Sequence, residues 1–178
     1  MTELYQTATE QLLISGAIDH ALGNVKPPIP PGSKVCVDAD GAGNNMVFPK
    51  YLIGGVRDLI LQSGSRLVDD KKNADLIAEL RNGGQAINLL VGIPAIPVPI
   101  PLTGTVQTPE LALFKHDKQT GIAKVALTVY SAKSGALAGR TGPVYGDSQY
   151  AHWTVLLLIN RDSQDILPDP IPPSPQAP

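Results

Sequence analysis

The stretch that decides the fold is Gly121-Ile-Ala-Lys-Val-Ala-Leu-Thr-Val-Tyr-Ser131, together with the segment that follows it. Along this run, apolar residues at every second position alternate with a second set that includes polar residues. This pattern is typical of a β-strand that has one face in the core. Lys133-Ser-Gly135 then has the composition of a tight turn, and the segment from Ala136 to Tyr145 returns as a second strand. The stretch therefore predicts an antiparallel β-hairpin.

Two amphipathic segments before the hairpin predict helices. From Thr7 to Leu22, apolar residues recur at four-residue spacing and form one stripe. Thr7 and Glu10 have the spacing of a capping box at the start of this helix. A second helix is predicted from Lys50 to Ser63, and Pro49 suits its first turn.

Short apolar runs predict the remaining strands. They are Lys34–Asp38, Ser65–Val68 and Ala74–Leu80, and Trp153 to Ile159 is one more run that fits a strand or a helix. The order helix, strand, helix, strand, strand, hairpin, final strand predicts an α/β (α+β) fold, with a mixed sheet of about five strands and two main helices on one face. We expect a single domain at 1–167, with an extended arm inserted at 89–105 and a proline-rich tail at 168–178.

Composition narrows the class of protein. The chain has 178 residues, which suits one domain, and 43% of them are hydrophobic, which is enough for a core. The net charge is −2, from 14 basic and 16 acidic residues, and the lysines and arginines do not cluster, so we expect no nucleic-acid partner. Cys36 is the single cysteine and cannot form a disulfide within the chain; we interpret it as a small buried residue.

The segment Leu89-Leu-Val-Gly-Ile-Pro-Ala-Ile-Pro-Val-Pro-Ile-Pro-Leu102 is uncharged and spaced by prolines. The prolines exclude a membrane-spanning helix and a central strand, since each removes a backbone donor. An extended arm remains, whose apolar side chains must be covered. The candidate interaction residues are Ile93, Ile96, Val98, Ile100 and Leu102. The arm packs on its own domain, or it covers a second subunit, a membrane or a partner protein.

The loop after the first strand is an alternative ligand site. Asp38, Asp40, Asn44 and Asn45 resemble a calcium-binding loop, but Pro49 stands where an EF-hand has its bidentate glutamate. A glycine-rich turn between strand and helix explains the same residues. Because α/β sheets commonly place sites at strand ends, a small-ligand or metal-binding role for residues 38–45 stays open.

Nothing in the sequence indicates catalysis. His20, His116 and His152 lack the spacing of a zinc site, and the Gly-x-Ser-x-Gly motif of many hydrolases is missing. We therefore expect no catalytic residue, no cofactor and no metal ligand. A hydrolase would need a polar pocket that joins His116 or His152 to a serine or an aspartate.

Three segments resemble a family of uncharacterised bacterial, planctomycete-type exported lipoproteins: ATEQLLISGAIDHAL from Ala8, LVGIPAIPVPIPL from Leu90 and TPELALFKHDKQTGIAKVALTVYSAKSG from Thr108. The strands around SRLVDDKKNADLIAEL and the hairpin are distantly similar to the periplasmic α/β fold of the TolB N-terminal domain and CsgG. The resemblance implies a periplasmic or outer-membrane lipoprotein. Its only contact with the membrane would be a lipid anchor, which is absent from this chain.

This resemblance and the uncharged arm together favour a non-enzymatic interaction or assembly role. The partner would be another protein or a second copy of the chain. The start of the chain, Met1 to Tyr5, is polar and does not look like a signal peptide, which leaves a cytoplasmic protein as the alternative.

Overall fold

The computed structural model describes residues 7–42, 48–92, 114–155 and 159–166. Within these ranges the elements are α1 (Ala8–Gly23), β1 (Lys34–Asp38), α2 (Pro49–Gln62), β2 (Arg66–Leu67), β3 (Leu76–Gly92), β4 (Phe114–Ser131), β5 (Leu137–Val155) and β6 (Ile159–Gln164), with short 3-10 turns at Asp40–Ala42 and Lys71–Asn73. The described helices include none that is both long and apolar enough to cross a membrane.

The strands form one mixed sheet in the order β2-β1-β3-β4-β5-β6. β1 runs parallel to β2 and β3, whereas β3, β4, β5 and β6 pair antiparallel in sequence. The predicted α+β class with a mixed sheet is confirmed. The sheet has six strands in the described residues, against the predicted number of about five.

Both predicted helices are present and shift by no more than a residue at either end. The capping box of α1 is formed: the Thr7 hydroxyl accepts from the Glu10 N–H over 3.2 Å, and a Glu10 carboxylate oxygen accepts from the Thr7 N–H over 2.8 Å. Pro49 occupies the first turn of α2, where its missing N–H costs nothing.

The helices and one face of the sheet enclose an aliphatic core. The residues with almost no exposed surface include Leu13, Ile14, Ile18, Leu52, Ile60, Leu80, Leu127, Val35, Val56, Val125 and Val129. We call this sheet surface the helical face and its opposite the outer face. Cys36 is buried as predicted, and burial raises the pKa of its thiol above the ordinary 9.0, which keeps it protonated at neutral pH.

α1 lies very close to β4 and β5 because the sheet carries small residues beneath it. A Cβ at Gly146 would collide with the Ala17 carbonyl of α1, and a Cβ at Gly121 would collide with the Leu13 carbonyl. Two glycines on neighbouring strands therefore set the distance between helix and sheet.

The hairpin is confirmed, with Gly135 at φ 69° in its turn, but its strands are longer than predicted. β4 begins at Phe114 and β5 continues to Val155. The alternation of apolar and polar residues from Gly121 to Ser131 marks only the part of β4 that a helix covers. Outside that part, polar residues lie on both faces of the strand, so the sequence shows no apolar residue at every second position.

The strand predicted at Ala74–Leu80 is also longer, since β3 runs from Leu76 to Gly92. The prediction that an arm begins at Leu89 is therefore wrong for its first residues, which belong to the strand. A bulge between Asn82 and Gly84 shifts the register and breaks the alternation, which hides the second half of β3 in the sequence.

The last apolar run also divides between elements. Trp153 lies near the end of β5, and Ile159 is the first residue of β6. Residues 156–158 lie outside the described residues. The tail at 168–178 lies outside them as well.

Candidate functional site

The predicted ligand loop begins at the end of β1, where Asp38 and Asp40 are described, whereas Asn44 and Asn45 lie outside the described residues. The Lys71 ammonium donates to an Asp38 carboxylate oxygen over 2.5 Å and lies 3.9 Å from an Asp40 carboxylate oxygen. The Asp40 N–H also donates to Asp38, over 3.1 Å. One lysine thus faces both carboxylates that the loop would offer to a cation.

These contacts set the protonation of the pair. The hydrogen bond from Lys71 holds the pKa of the Asp38 carboxyl below its ordinary 3.8, and the same contact raises the pKa of Lys71 above 10.5. Both groups are charged at neutral pH, and the lysine supplies the positive charge that a calcium ion would bring. Among the described residues, no group of three or more His, Cys, Asp or Glu side chains is arranged to hold a metal ion.

The ligand-binding alternative for this loop therefore stays a prediction. Calorimetry with calcium tests it: a saturable heat that Asp38→Asn abolishes would support it.

The candidate interaction residues of the arm, Ile93, Ile96, Val98, Ile100 and Leu102, lie outside the described residues. The structure does describe the strand that leads into them. Gly92, the last residue of β3, directly precedes Ile93.

Among the described strands, the second half of β3 has a partner on one side only. β1 pairs with β3 from Leu76 to Glu79, whereas β4 pairs along its whole length to Gly92. At Gln85 the side-chain oxygen accepts from the Phe48 N–H over 3.2 Å. Beyond this point, no strand of the described ranges pairs with the far side of β3. We call the backbone edge of residues 86–92, on the side away from β4, the β3 edge.

The β3 edge has an unusual composition for an unpaired strand. Its sequence, Ala-Ile-Asn-Leu-Leu-Val-Gly92, contains no charged residue and no proline. Leu89 and Leu90 point to opposite faces of the sheet, and their exposed fractions are 62% and 63%. Soluble proteins usually protect such an edge with lysine, proline or a covering element, because an unpaired strand accepts another strand.

The opposite edge of the sheet is protected in the usual way. β6 is exposed along its length and carries Arg161 and Asp162. Charges of both signs on a short strand disfavour pairing with a further chain. The two edges of one sheet thus differ in chemistry, and the β3 edge is the one suited to association.

Two of the three histidines contact a neighbouring element of the fold. His20 Nδ1 lies 2.5 Å from the carbonyl oxygen of Asp147, which ties α1 to β5. His116 stacks on Trp153 across β4 and β5, with ring centroids 3.8 Å apart. Both contacts connect elements of the fold.

His152 lies in a network that sequence reasoning missed. Its Nδ1 is 2.5 Å from a carboxylate oxygen of Asp162, its Nε2 is 3.3 Å from the Thr154 hydroxyl, and Asp162 also lies 3.4 Å from the Tyr150 hydroxyl. His152 and Asp162 are direct partners across β5 and β6. The signal in the sequence was the period-two spacing of Tyr150, His152 and Thr154, which puts all three on one face.

A hydroxyl, an imidazole and a carboxylate in this order can relay a proton. Here the carboxylate is more than half exposed to solvent, so its charge is screened. The network also joins neighbouring positions of paired strands. We interpret it as the contact that holds β6 on β5, and the absence of enzymatic activity stays a prediction.

The fold and these surfaces define a two-layer α+β domain, in which two helices cover one face of a mixed sheet and no described strand pairs with the β3 edge. The chain belongs to DUF6655, a family of unknown function, whose family model matches residues 2–156. A search of curated proteins finds no match. The resemblance to exported lipoproteins stays a prediction.

Proposed function

We propose that this protein is a non-enzymatic assembly module of the cell envelope, which associates with a second copy of itself through the β3 edge. The observation that carries the proposal is the uncharged backbone edge of residues 86–92, which has two largely exposed leucines and no partner among the described strands. Such an edge offers a row of backbone donors and acceptors to another strand.

A second copy is the occupant that this chemistry favours. A strand edge without charge is best met by another edge without charge, because a charged partner would lose hydration with no opposite charge to compensate. The same β3 edge on a second molecule meets this condition by definition. Antiparallel pairing of the two edges around a two-fold axis joins both sheets into one, and it brings Leu89 and Leu90 of each copy close to those of the other.

The arm fits the same proposal. Its first candidate residue, Ile93, follows directly on the β3 edge in sequence, so an arm that reaches a second subunit would start at the interface. Its prolines suit an extended segment that lies on a surface without adding a strand. The cell-envelope location rests on the resemblance to exported lipoproteins, and fractionation of cells that express the natural gene tests it.

The experiment is size-exclusion chromatography with light scattering on the purified chain and on two matched variants. Leu90→Lys puts a charge on the β3 edge, where two-fold pairing brings it near its own copy. Leu137→Lys is the control, because Leu137 has the same exposed fraction, 63%, but lies at the hairpin end of β5. We expect a dimer for the wild type and for Leu137→Lys, and a monomer for Leu90→Lys.

A strictly monomeric wild type overturns self-association. An equal effect of both lysine variants shows that general solubility, and not the edge, controls the equilibrium. Deletion of residues 93–101 separates the arm from the edge: a dimer that survives Leu90→Lys but not the deletion would place the interface on the arm and contradict pairing through β3. Circular dichroism of each variant reports whether the fold is retained.

A further inference from the structure

A cleft of about 390 Å³ opens in the middle of the sheet. It lies beside residues 81–83 of β3, which precede the β3 edge. Arg81, Gly83, Lys124, Ala126 and Pro143 are among the residues that line it. Arg81 follows the buried Leu80, and Lys124 lies between the buried residues Ala123 and Val125, so both cations point to the outer face. The cleft therefore lies on the sheet surface opposite to the helices and apart from the His152 network.

Two irregularities at the same level of β4 produce this cleft. On one side β3 shifts register between Asn82 and Gly84, and Gly84 has φ +137°, a conformation that favours glycine. On the other side the pairing with β5 shifts between Val125 and Leu127, opposite the segment that contains Pro143. Each shift disturbs the pairing of a strand that flanks Ala126, which opens space in the sheet surface. Bulges of this kind are frequent next to binding sites.

Among the described residues, the lining of the cleft carries two cations and no carboxylate. Lys124 is held by the ring of Tyr145, whose centroid lies 5.1 Å from its ammonium. Within the described part of the chain, neither Arg81 nor Lys124 forms an ion pair. Glu79 and Asp147 lie on the same face, two residues along their strands from Arg81 and Tyr145, and they are not among the described residues that line the cleft.

We propose that this cleft binds a small organic anion, a carboxylate or phosphate ester with a compact apolar body. Arg81 offers a planar fork that suits two oxygens of such a group, and Lys124 adds a second positive charge. Ala126 and Pro143 supply the apolar surface beside them. The volume lies within the range of small-molecule sites.

The experiment is isothermal titration calorimetry of the full chain with benzoate and phenyl phosphate at constant ionic strength, with benzyl alcohol as the uncharged control. We expect saturable binding of at least one anion and none of the alcohol. Arg81→Ala and Lys124→Ala each remove a charged hydrogen bond and weaken the affinity by about tenfold or more. Arg140→Ala is the matched control, because Arg140 is a cation on the same face that does not line the cleft.

A further variant keeps the charge and changes only the geometry. A Cβ at Gly83 would meet the Lys124 side chain, with its Cδ at 2.6 Å, so Gly83→Ala displaces the lysine. We expect this variant to weaken anion binding while its circular dichroism stays that of the wild type. No saturable heat with either anion at millimolar concentration overturns the proposal, as does an equal loss in Arg140→Ala. The oligomeric state is measured separately, so failure here leaves self-association untouched.

Discussion

The hydroxyl of Ser148 on β5 donates a hydrogen bond to the carbonyl oxygen of Leu13 on α1 over 2.5 Å, and both side chains are fully buried. This carbonyl is also the one that a Cβ at Gly121 would strike. At this contact, helix and sheet therefore meet through backbone atoms, a serine and glycines. Such a contact is specific in shape and intolerant of added atoms.

Gly146→Ala is expected to destabilise the fold strongly. The added Cβ would collide with backbone atoms of α1 at Ala17 and Ala21, which cannot move without shifting the helix. We expect a loss of about 2–3 kcal/mol in the free energy of unfolding, measured by urea denaturation. Gly142→Ala is the control on the same strand, because a Cβ there meets nothing within 4 Å. Equal effects of the two variants would contradict the close helix–sheet contact.

Thr7→Ala is expected to lower stability by about 1 kcal/mol, because it removes the hydroxyl that accepts from the Glu10 N–H. For a domain of this size the melting temperature should fall by about 2–4 °C. Thr7→Ser keeps the hydroxyl and should behave like the wild type in the same thermal scan. If serine fails to restore the melting temperature, the capping hydrogen bond is not the cause.

Acid stability should depend on Asp38. Its pKa is lowered by Lys71 in the folded chain, so the folded state binds a proton less readily than the unfolded one. The resulting stabilisation is present above the ordinary pKa of 3.8 and is lost as pH falls through the lower folded value. We expect Asp38→Asn to remove this part of the acid-induced loss in urea titrations at decreasing pH.

The control for this prediction is Asp69→Asn, since that carboxylate is largely exposed and lies 3.4 Å from Arg57. This variant removes one carboxylate but leaves the contact between Lys71 and Asp38 in place, so it should keep the acid-induced loss that Asp38→Asn removes. A curve for Asp38→Asn with the wild-type slope below pH 3.8 would show that the contact with Lys71 contributes nothing.

Alkaline pH should act on Tyr51, which joins α2 to α1. Tyr51 is 46% exposed, but partial burial and the hydrogen bond from its hydroxyl to the Asp19 carboxylate, 2.8 Å to each oxygen, raise its pKa from 10.0 to about 12. The folded state therefore holds this proton longer, and the associated stability is present below pH 10 and is lost as pH rises towards 12.

The difference in tyrosinate absorbance between the wild type and Tyr51→Phe measures this titration. Asp19→Asn should lower the midpoint but leave it above 10, because burial remains. A midpoint at 10 in the wild type would contradict the hydrogen bond and the burial together.

The sequence predicts those elements whose signal is local. α1 was predictable from its apolar stripe and from the capping box of Thr7 and Glu10. Both signals come from residues that are close to one another along the chain. The hairpin was recognisable where α1 covers β4, around Gly121 to Ser131. The length of β3 was not, because a bulge at Gly83 and Gly84 interrupts the alternation that marks a strand.

The candidate surfaces divide in the same way. The sequence identifies the uncharged run that begins at Leu89 as a candidate interaction segment. Only the structure assigns its first four residues to β3. The pairing of Lys71 with Asp38 could not be predicted, since 33 residues separate them. The cleft between Arg81 and Lys124 depends on strand register, which no local pattern specifies.

By itself, the sequence determined the class of fold, the two helices, the hairpin turn and the apolar character of the segment after Leu89. These follow from periodicity, capping and composition, which act between neighbours along the chain. Only the tertiary structure decided that the pairing of β1 with β3 ends at Glu79. As a consequence, the β3 edge has no partner strand in the described ranges. The structure also places two bulges on either side of Ala126. Both surfaces proposed to bind arise from how strands of unequal length align, and alignment is settled only when the whole sheet packs against α1.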